Sequence, residues 1–259
     1  MAVKKGAITE YTVGCCSAPM GIKLAVVSDL HSRAGTEIQW IIQALESKRP
    51  DYILMPGDIF EKLDGSLKEN KQQGFELLRR ASAIAPVLYS IGNHENGGVQ
   101  SWNKMKWNKD SSHKMVYDQA ELDEIFESGA AILDNGYVID EGIAFGGLTS
   151  GFINARREPE LEWLDEFCEL DVPKILLCHH PEYYPKYLKN RNIDLIVSGH
   201  AHGGQWRIFG RGIFSPGQGL FPKYAAGVHD SKLVVSCGLK EGKPIPRFFN
   251  PPEIVFVNI

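Results

Sequence analysis

The chain reads as an α/β protein in which more than one β-sheet packs together under flanking helices. Three observations predict this class. The first third repeats strand, helix, strand, the mark of parallel βαβ units. The second half carries a denser series of short β-type segments. Five apolar strands each run into a cluster of His, Asp, Asn or Gly, and open α/β sheets form their sites at that carboxyl edge.

The elements follow in order. Residues 22–28, IKLAVVS, form a nearly continuous apolar run, as central strands covered on both faces do. Thr36 and Gln39 make a capping-box pair. Ile38, Ile41, Ile42 and Leu45 then recur at helical spacing until Pro50 stops the helix. YILM at 52–55 is the next strand. A helix is expected within 63–83 and a strand at 87–91. Leu122, Ile125 and Phe126 mark a further helix, stopped by Gly129. Leu161, Leu164 and Cys168 share a helical face flanked by Phe167. Strands are expected at 174–178 and 194–197, with further β signals at 137–139, 143–145, 207–209, 233–235 and 254–257.

Residues 96–114 break this rhythm. They are polar, with Trp102 and Trp107 among four lysines, and read either as a lid or as a solvated loop with two half-buried tryptophans. No internal repeat or low-complexity linker appears, so one domain over 1–259 is expected, with 96–114 as its lid or insertion.

With 259 residues, 43% hydrophobic and 23% charged, the chain has material for a sizeable core, which excludes disorder, collagen and coiled coil. Its net charge of -4 argues against a general nucleic-acid binder but not against an anionic substrate, because bound cations invert a local field. The five cysteines (Cys15, Cys16, Cys168, Cys178, Cys237) form no CxxC pair and read as ordinary thiols of a reducing compartment. The N-terminal stretch has no apolar run of signal-peptide length, and no segment reaches the roughly 20 apolar residues of a spanning helix. A cytoplasmic location is the expectation.

The chemistry stands just past the strands. Residues 22–28 lead into Asp29-Leu30-His31, and 52–55 into Pro56-Gly57-Asp58. Gly92-Asn93-His94-Glu95 follows the third strand, His179-His180-Pro181 the fourth, and Gly199-His200-Ala201-His202 the fifth. Imidazole with carboxylate and no thiolate suits Zn, Fe or Mn. Seven candidate ligands (Asp29, His31, Asp58, Asn93, His179, His200, His202) exceed what one ion needs unless a carboxylate is shared. Two ions with one bridging Asp satisfy that count. Glu95 reads either as a partner orienting a neighbouring histidine or as a solvated loop charge.

These motifs, in this order, resemble the calcineurin-like metallophosphoesterase superfamily. The stretches GHAHGGQ, Phe221-Pro222-Lys223-Tyr224 and Arg247 to Ile254 are similar to its bacterial YaeI/YkuE-like phosphodiesterase branch, itself similar to some UDP-diacylglucosamine hydrolases. The resemblance implies a four-layer α/β/β/α sandwich of two mixed sheets flanked by helices. It implies two divalent metal ions (Mn, Fe or Zn): Asp29, His31 and His202 on one, Asn93, His179 and His200 on the other, Asp58 bridging. It makes His94 the catalytic histidine, not a ligand, and places His180 beside the ligands or facing substrate.

The expected activity is a metal-dependent phosphoesterase, a phosphodiesterase acting through a bridging hydroxide on a small or lipid-linked phosphoester. The alternatives are a catalytically weak metal-bound scaffold and a phosphomonoesterase. Trp206, Phe209, Phe214 and Phe221, among Arg207, Arg211 and Lys223, read either as an apolar wall with phosphate-positioning cations or as a hairpin packed on the core. No long nucleic acid is expected as a partner, and peripheral membrane contact stays open.

Overall fold

Alternation along the central strands decides the architecture. In a pleated strand, successive side chains point to opposite faces, and here both faces are apolar. The computed structural model describes residues 6–14, 21–31, 38–63, 66–67, 71–95, 117–151, 158–240 and 246–259. The 96–114 segment, Thr36, Cys15 and Cys16 lie outside the described residues.

The chain runs β1 (Ala7–Thr12), β2 (Lys23–Val26), α1 (Ile38–Lys48), β3 (Tyr52–Pro56), a two-residue pair β4 (Lys62–Leu63) and β5 (Ser66–Leu67), α2 (Lys71–Ser82) and β6 (Val87–Ser90). It continues with α3 (Gln119–Glu127), β7 (Ala130–Leu133), β8 (Gly136–Asp140), β9 (Ile143–Leu148), α4 (Glu162–Glu169), β10 (Lys174–Cys178) and β11 (Leu195–Ser198). Four two-residue strands, β12 (Arg207–Ile208), β13 (Arg211–Gly212), β14 (Phe214–Ser215) and β15 (Gly219–Leu220), precede β16 (Gly227–His229), β17 (Leu233–Val235) and β18 (Glu253–Asn258).

Two six-stranded mixed sheets result, in the orders β1-β18-β2-β3-β6-β7 and β16-β17-β11-β10-β9-β8. In the first, β2, β3, β6 and β7 run parallel, and in the second β9, β10, β11 and β17 do. Leu24, Val26, Leu54 and Val255 from one sheet meet Phe145, Ile175, Leu177 and Val197 from the other in a core between the sheets. Ala25, Val27, Ile53 and Met55 turn the other way, onto α1 and α2. On the far side, Leu176, Ile196 and Val235 pack with Leu164 and Phe167 of α4. Three cores between successive layers make the four-layer α/β/β/α sandwich.

Several elements differ from the sequence expectation. Leu63 is not helical: α2 begins at Lys71, after the short β4–β5 pair. In α3, Ile125 is buried while Phe126 is 59% exposed, and Glu121 is buried instead, engaged with Asp118 in a capping box. In α4, Leu164 and Phe167 carry the buried face, and Leu161 and Cys168 are only partly covered. The expected strand at 207–209 stops at Ile208, and Phe209 stands at a hairpin tip, 102% exposed. Among the described residues, no helix is long and apolar enough to cross a membrane.

Candidate metal centre

Strands β2, β3 and β6 are neighbours in one sheet and β10 and β11 in the other, and all five deliver polar residues from their carboxyl ends. The chain must turn sharply there. Asp29, His31, Asp58, His200 and His202 all have positive φ, between 46° and 63°, a region that residues with a Cβ adopt only where the surrounding structure holds them. Glycines seat the carboxylates. A Cβ on Gly92 would fall 2.2 Å from Asp58 Oδ1, and one on Gly199 would fall 2.4 Å from Asp29 Oδ2.

Asp58 Oδ2 is the hub. It lies 3.1 Å from His179 Nε2, 3.6 Å from His31 Nε2 and 3.8 Å from His94 Nε2. Asp29 Oδ1 lies 3.7 Å from His202 Nε2. Among the described residues four groups could each hold a cation, the ligand atoms within a group all within 4.8 Å of one another: Asp29 with His31 and His202, Asp58 with His179 and His200, and two that overlap these, His31 with Glu61 and His94, and His180 with Glu182 and His200. Asn93 is buried one residue before His94.

The donor set fits such ions. Asp58 Oδ2, Asn93 Oδ1, both ring nitrogens of His31, His179 Nε2 and His200 Nε2 are buried without a hydrogen-bond partner. Orphaned polar atoms are costly in a protein interior, and divalent cations would satisfy this set together, save the second ring nitrogen of His31.

Electrostatics agree at three of the imidazoles, while His179 and Asp29 are shifted toward their protonated forms. Burial pushes His31, His200 and His202 well below the usual imidazole range, keeping them in the neutral form that binds metal. Burial also raises the Asp29 carboxyl. It raises Asp58 too, but the His179 and His94 charges override it and hold that carboxylate well below its ordinary value. Burial likewise opposes protonation of His179, yet Asp58 raises its pKa to about 10. His179 Nδ1 sits 2.7 Å from the Pro56 carbonyl, which fixes its proton there and leaves Nε2 facing Asp58. Arg247 Nη2 approaches His202 Nδ1 at 3.2 Å, and Asn250 Nδ2 donates to the His202 carbonyl at 2.6 Å.

Three glutamates complete the picture. Glu95, 1% exposed, is neither a solvated charge nor a histidine partner. It accepts from the N–H groups of Asp58, Gly92 and Phe60 at 2.8–2.9 Å and from the Tyr89 hydroxyl, clamping two loops together. Burial raises its carboxyl to about 7. Glu95→Gln replaces an acceptor with a donor facing these N–H groups. A loss of about 2–4 kcal/mol in unfolding free energy is expected, read from denaturant titration. The sequence reading missed Glu61, whose Oε1 lies 3.9 Å from His94 Nδ1, and Glu182, whose Oε1 lies 3.3 Å from His180 Nδ1 and 3.7 Å from His200 Nε2. Their signal was proximity: each stands within three residues of a motif position. His180 is fully buried with its ring 4.2 Å from that of His200, beside the candidate ligands, and with Glu182 and His200 it forms one of the groups that could hold a cation.

Comparison with known proteins accords with this geometry. The chain is 25% identical to the "Putative metallophosphoesterase F40B5.2" of Caenorhabditis elegans over 97% of its length, and spans about half (52%) of that longer relative. It is 26% identical to the uncharacterized metallophosphoesterase YkuE of Bacillus subtilis, covering 95% of this chain and 82% of YkuE. It is 42% identical to the uncharacterized protein YpbG of the same organism, over 77% of this chain and 68% of YpbG. The model of the family described as "Calcineurin-like phosphoesterase" matches residues 22–204. That match spans more than half of the chain, and the protein accordingly belongs to the calcineurin-like phosphoesterase family of metal-dependent phosphoric ester hydrolases.

Proposed function

We propose that the protein is a binuclear metal-dependent phosphodiesterase that acts on a small or lipid-linked phosphoester. The observation that carries this reading is the position of Asp58: its partnerless Oδ2 faces His179 of one donor group and His31 of the other. In this reading Asp29, His31 and His202 hold one cation, Asn93, His179 and His200 hold the second, and Asp58 serves both. When bound, two such cations (Mn, Fe or Zn) neutralise phosphate oxygens and lower the pKa of a water toward about 7.

The chain's own residues supply the rest. His94 is the most open of the centre's imidazoles, 14% exposed at the side chain against 0% for His31 and His179. It therefore meets the substrate and delivers a proton to the leaving oxygen, with the Glu61 carboxylate 3.9 Å from its far nitrogen. The preference for a diester rests on the likeness to the YaeI/YkuE branch. Cys168, Cys178 and Cys237 are unpaired thiols, which supports a reducing, cytoplasmic setting.

Hydrolysis of bis(p-nitrophenyl) phosphate and of p-nitrophenyl phosphate tests the proposal. Chelation should abolish turnover, Mn should restore it, and the diester should be cleaved about tenfold faster or more. A faster monoester makes the protein a phosphomonoesterase. Two bound cations without hydrolysis of either ester make it a scaffold.

A further inference from the structure

The segments after the His200–His202 loop display apolar side chains that the protein does not bury. Phe209 is 102% exposed, Phe249 90%, Phe221 73% and Leu220 70%, with Phe248 and Ile208 above half. Backbone bonds tie them into one region. Arg207 N–H donates to the Phe248 carbonyl (3.0 Å), Ile213 N–H to that of Trp206 (2.9 Å), and Phe221 N–H to that of Ile213 (2.8 Å). Phe209, Phe221 and Phe249 all have positive φ, between 49° and 52°. A bulky residue in that region is an outlier, and no core contact repays it here, since all three rings point out of the protein.

Charge says what covers this surface. Residues 203–229 and 246–252 hold Arg207, Arg211, Lys223 and Arg247 and no Asp or Glu, in a chain whose net charge is -4. Arg211 and Lys223 are exposed. The apolar groups stand on loop tips instead of lining a groove, and Phe, Leu and Ile offer no polar atom to read a peptide. Exposed apolar tips with two exposed cations, Arg211 and Lys223, in the same segments match the interface of an anionic membrane, where rings enter the acyl boundary and cations meet headgroups.

We propose that this face docks on an anionic lipid bilayer, with Phe209, Phe221 and Phe249 as its inserting tips. The Phe248–Phe249 tip hangs from a loop anchored at both ends to His202, through the Arg247 guanidinium and the Asn250 amide. Docking therefore brings the candidate metal centre to the level of the headgroups, a consequence that rests on the proposed function; the docking itself does not.

Co-sedimentation with phosphatidylcholine vesicles, with and without phosphatidylglycerol, tests this on the full chain without any turnover, so an inert enzyme leaves the result readable. Partitioning onto phosphatidylglycerol vesicles is expected, falling about tenfold or more at high salt. The triple change Phe209→Ser, Phe221→Ser, Phe249→Ser should lower it about tenfold or more with an unaltered circular dichroism spectrum. Phe209→Ser alone, at a hairpin tip, should lower it measurably if the triple variant fails to fold. Arg211→Glu with Lys223→Glu should erase the preference for anionic lipid. The proposal is overturned by absent sedimentation, by a Phe209→Ser variant that partitions like the parent, or by vesicle-independent behaviour in which the tips bind a second copy of the chain or single-stranded nucleic acid.

Discussion

Asp58→Asn is expected to strip the protein of metal and of turnover together. The carboxylate is 1% exposed and its Oδ2 faces three imidazoles within 3.8 Å, without a hydrogen-bond partner. An amide keeps the shape and an Oδ1 that can still accept the 2.8 Å bond from the His94 N–H, so the loop geometry survives. What it loses is the negative charge that both donor groups share. Bound metal, by elemental analysis, should fall from two ions per chain to one or none. Transition-state charge stabilisation of several kcal/mol goes with it, a rate loss of about 10³-fold or more. An Asp58→Asn protein that retains two ions would sink the shared-ligand reading, whatever its activity.

The central strands and the polar clusters that follow them were legible in the sequence because both are local. Residues 22–28 and 174–178 are apolar on both faces, so their burial needs no knowledge of the partner, and the polar cluster after each announces itself. The losses came from contacts between distant residues. β1 pairs with β18 across most of the chain, with only an alternating half-buried pattern to mark it. Glu95 read either as a histidine partner or as a loop charge because two of the N–H groups it holds belong to Asp58 and Phe60, more than thirty residues away. Glu182 reaches a histidine on the next strand's loop, His200. Phe209 and Phe221 read either as an apolar wall or as a hairpin packed on the core, and only the fold shows them exposed at turns.

His94 separates chemistry from metal binding. His94→Asn should leave two ions per chain, because the backbone N–H that anchors Asp58 Oδ1 is untouched and the groups around Asp29 and Asp58 are complete without His94, which joins only the overlapping group of His31 and Glu61. Turnover should fall about 10²–10⁴-fold, the usual worth of a positioned proton donor. Burial pushes the His94 imidazole down, while Asp58 and Glu61 pull it up; Nε2 lies 3.8 Å from Asp58 Oδ2, on the side of the centre, and Nδ1 lies 3.9 Å from the Glu61 carboxylate. The size of the loss should track the leaving group. A diester that expels p-nitrophenolate needs little protonation and should suffer least. One that expels an alkyl alcohol, a poor leaving group until protonated, should suffer most. Equal losses for both esters would make His94 a charge stabiliser instead of an acid, and an unchanged rate for both would remove it from the mechanism.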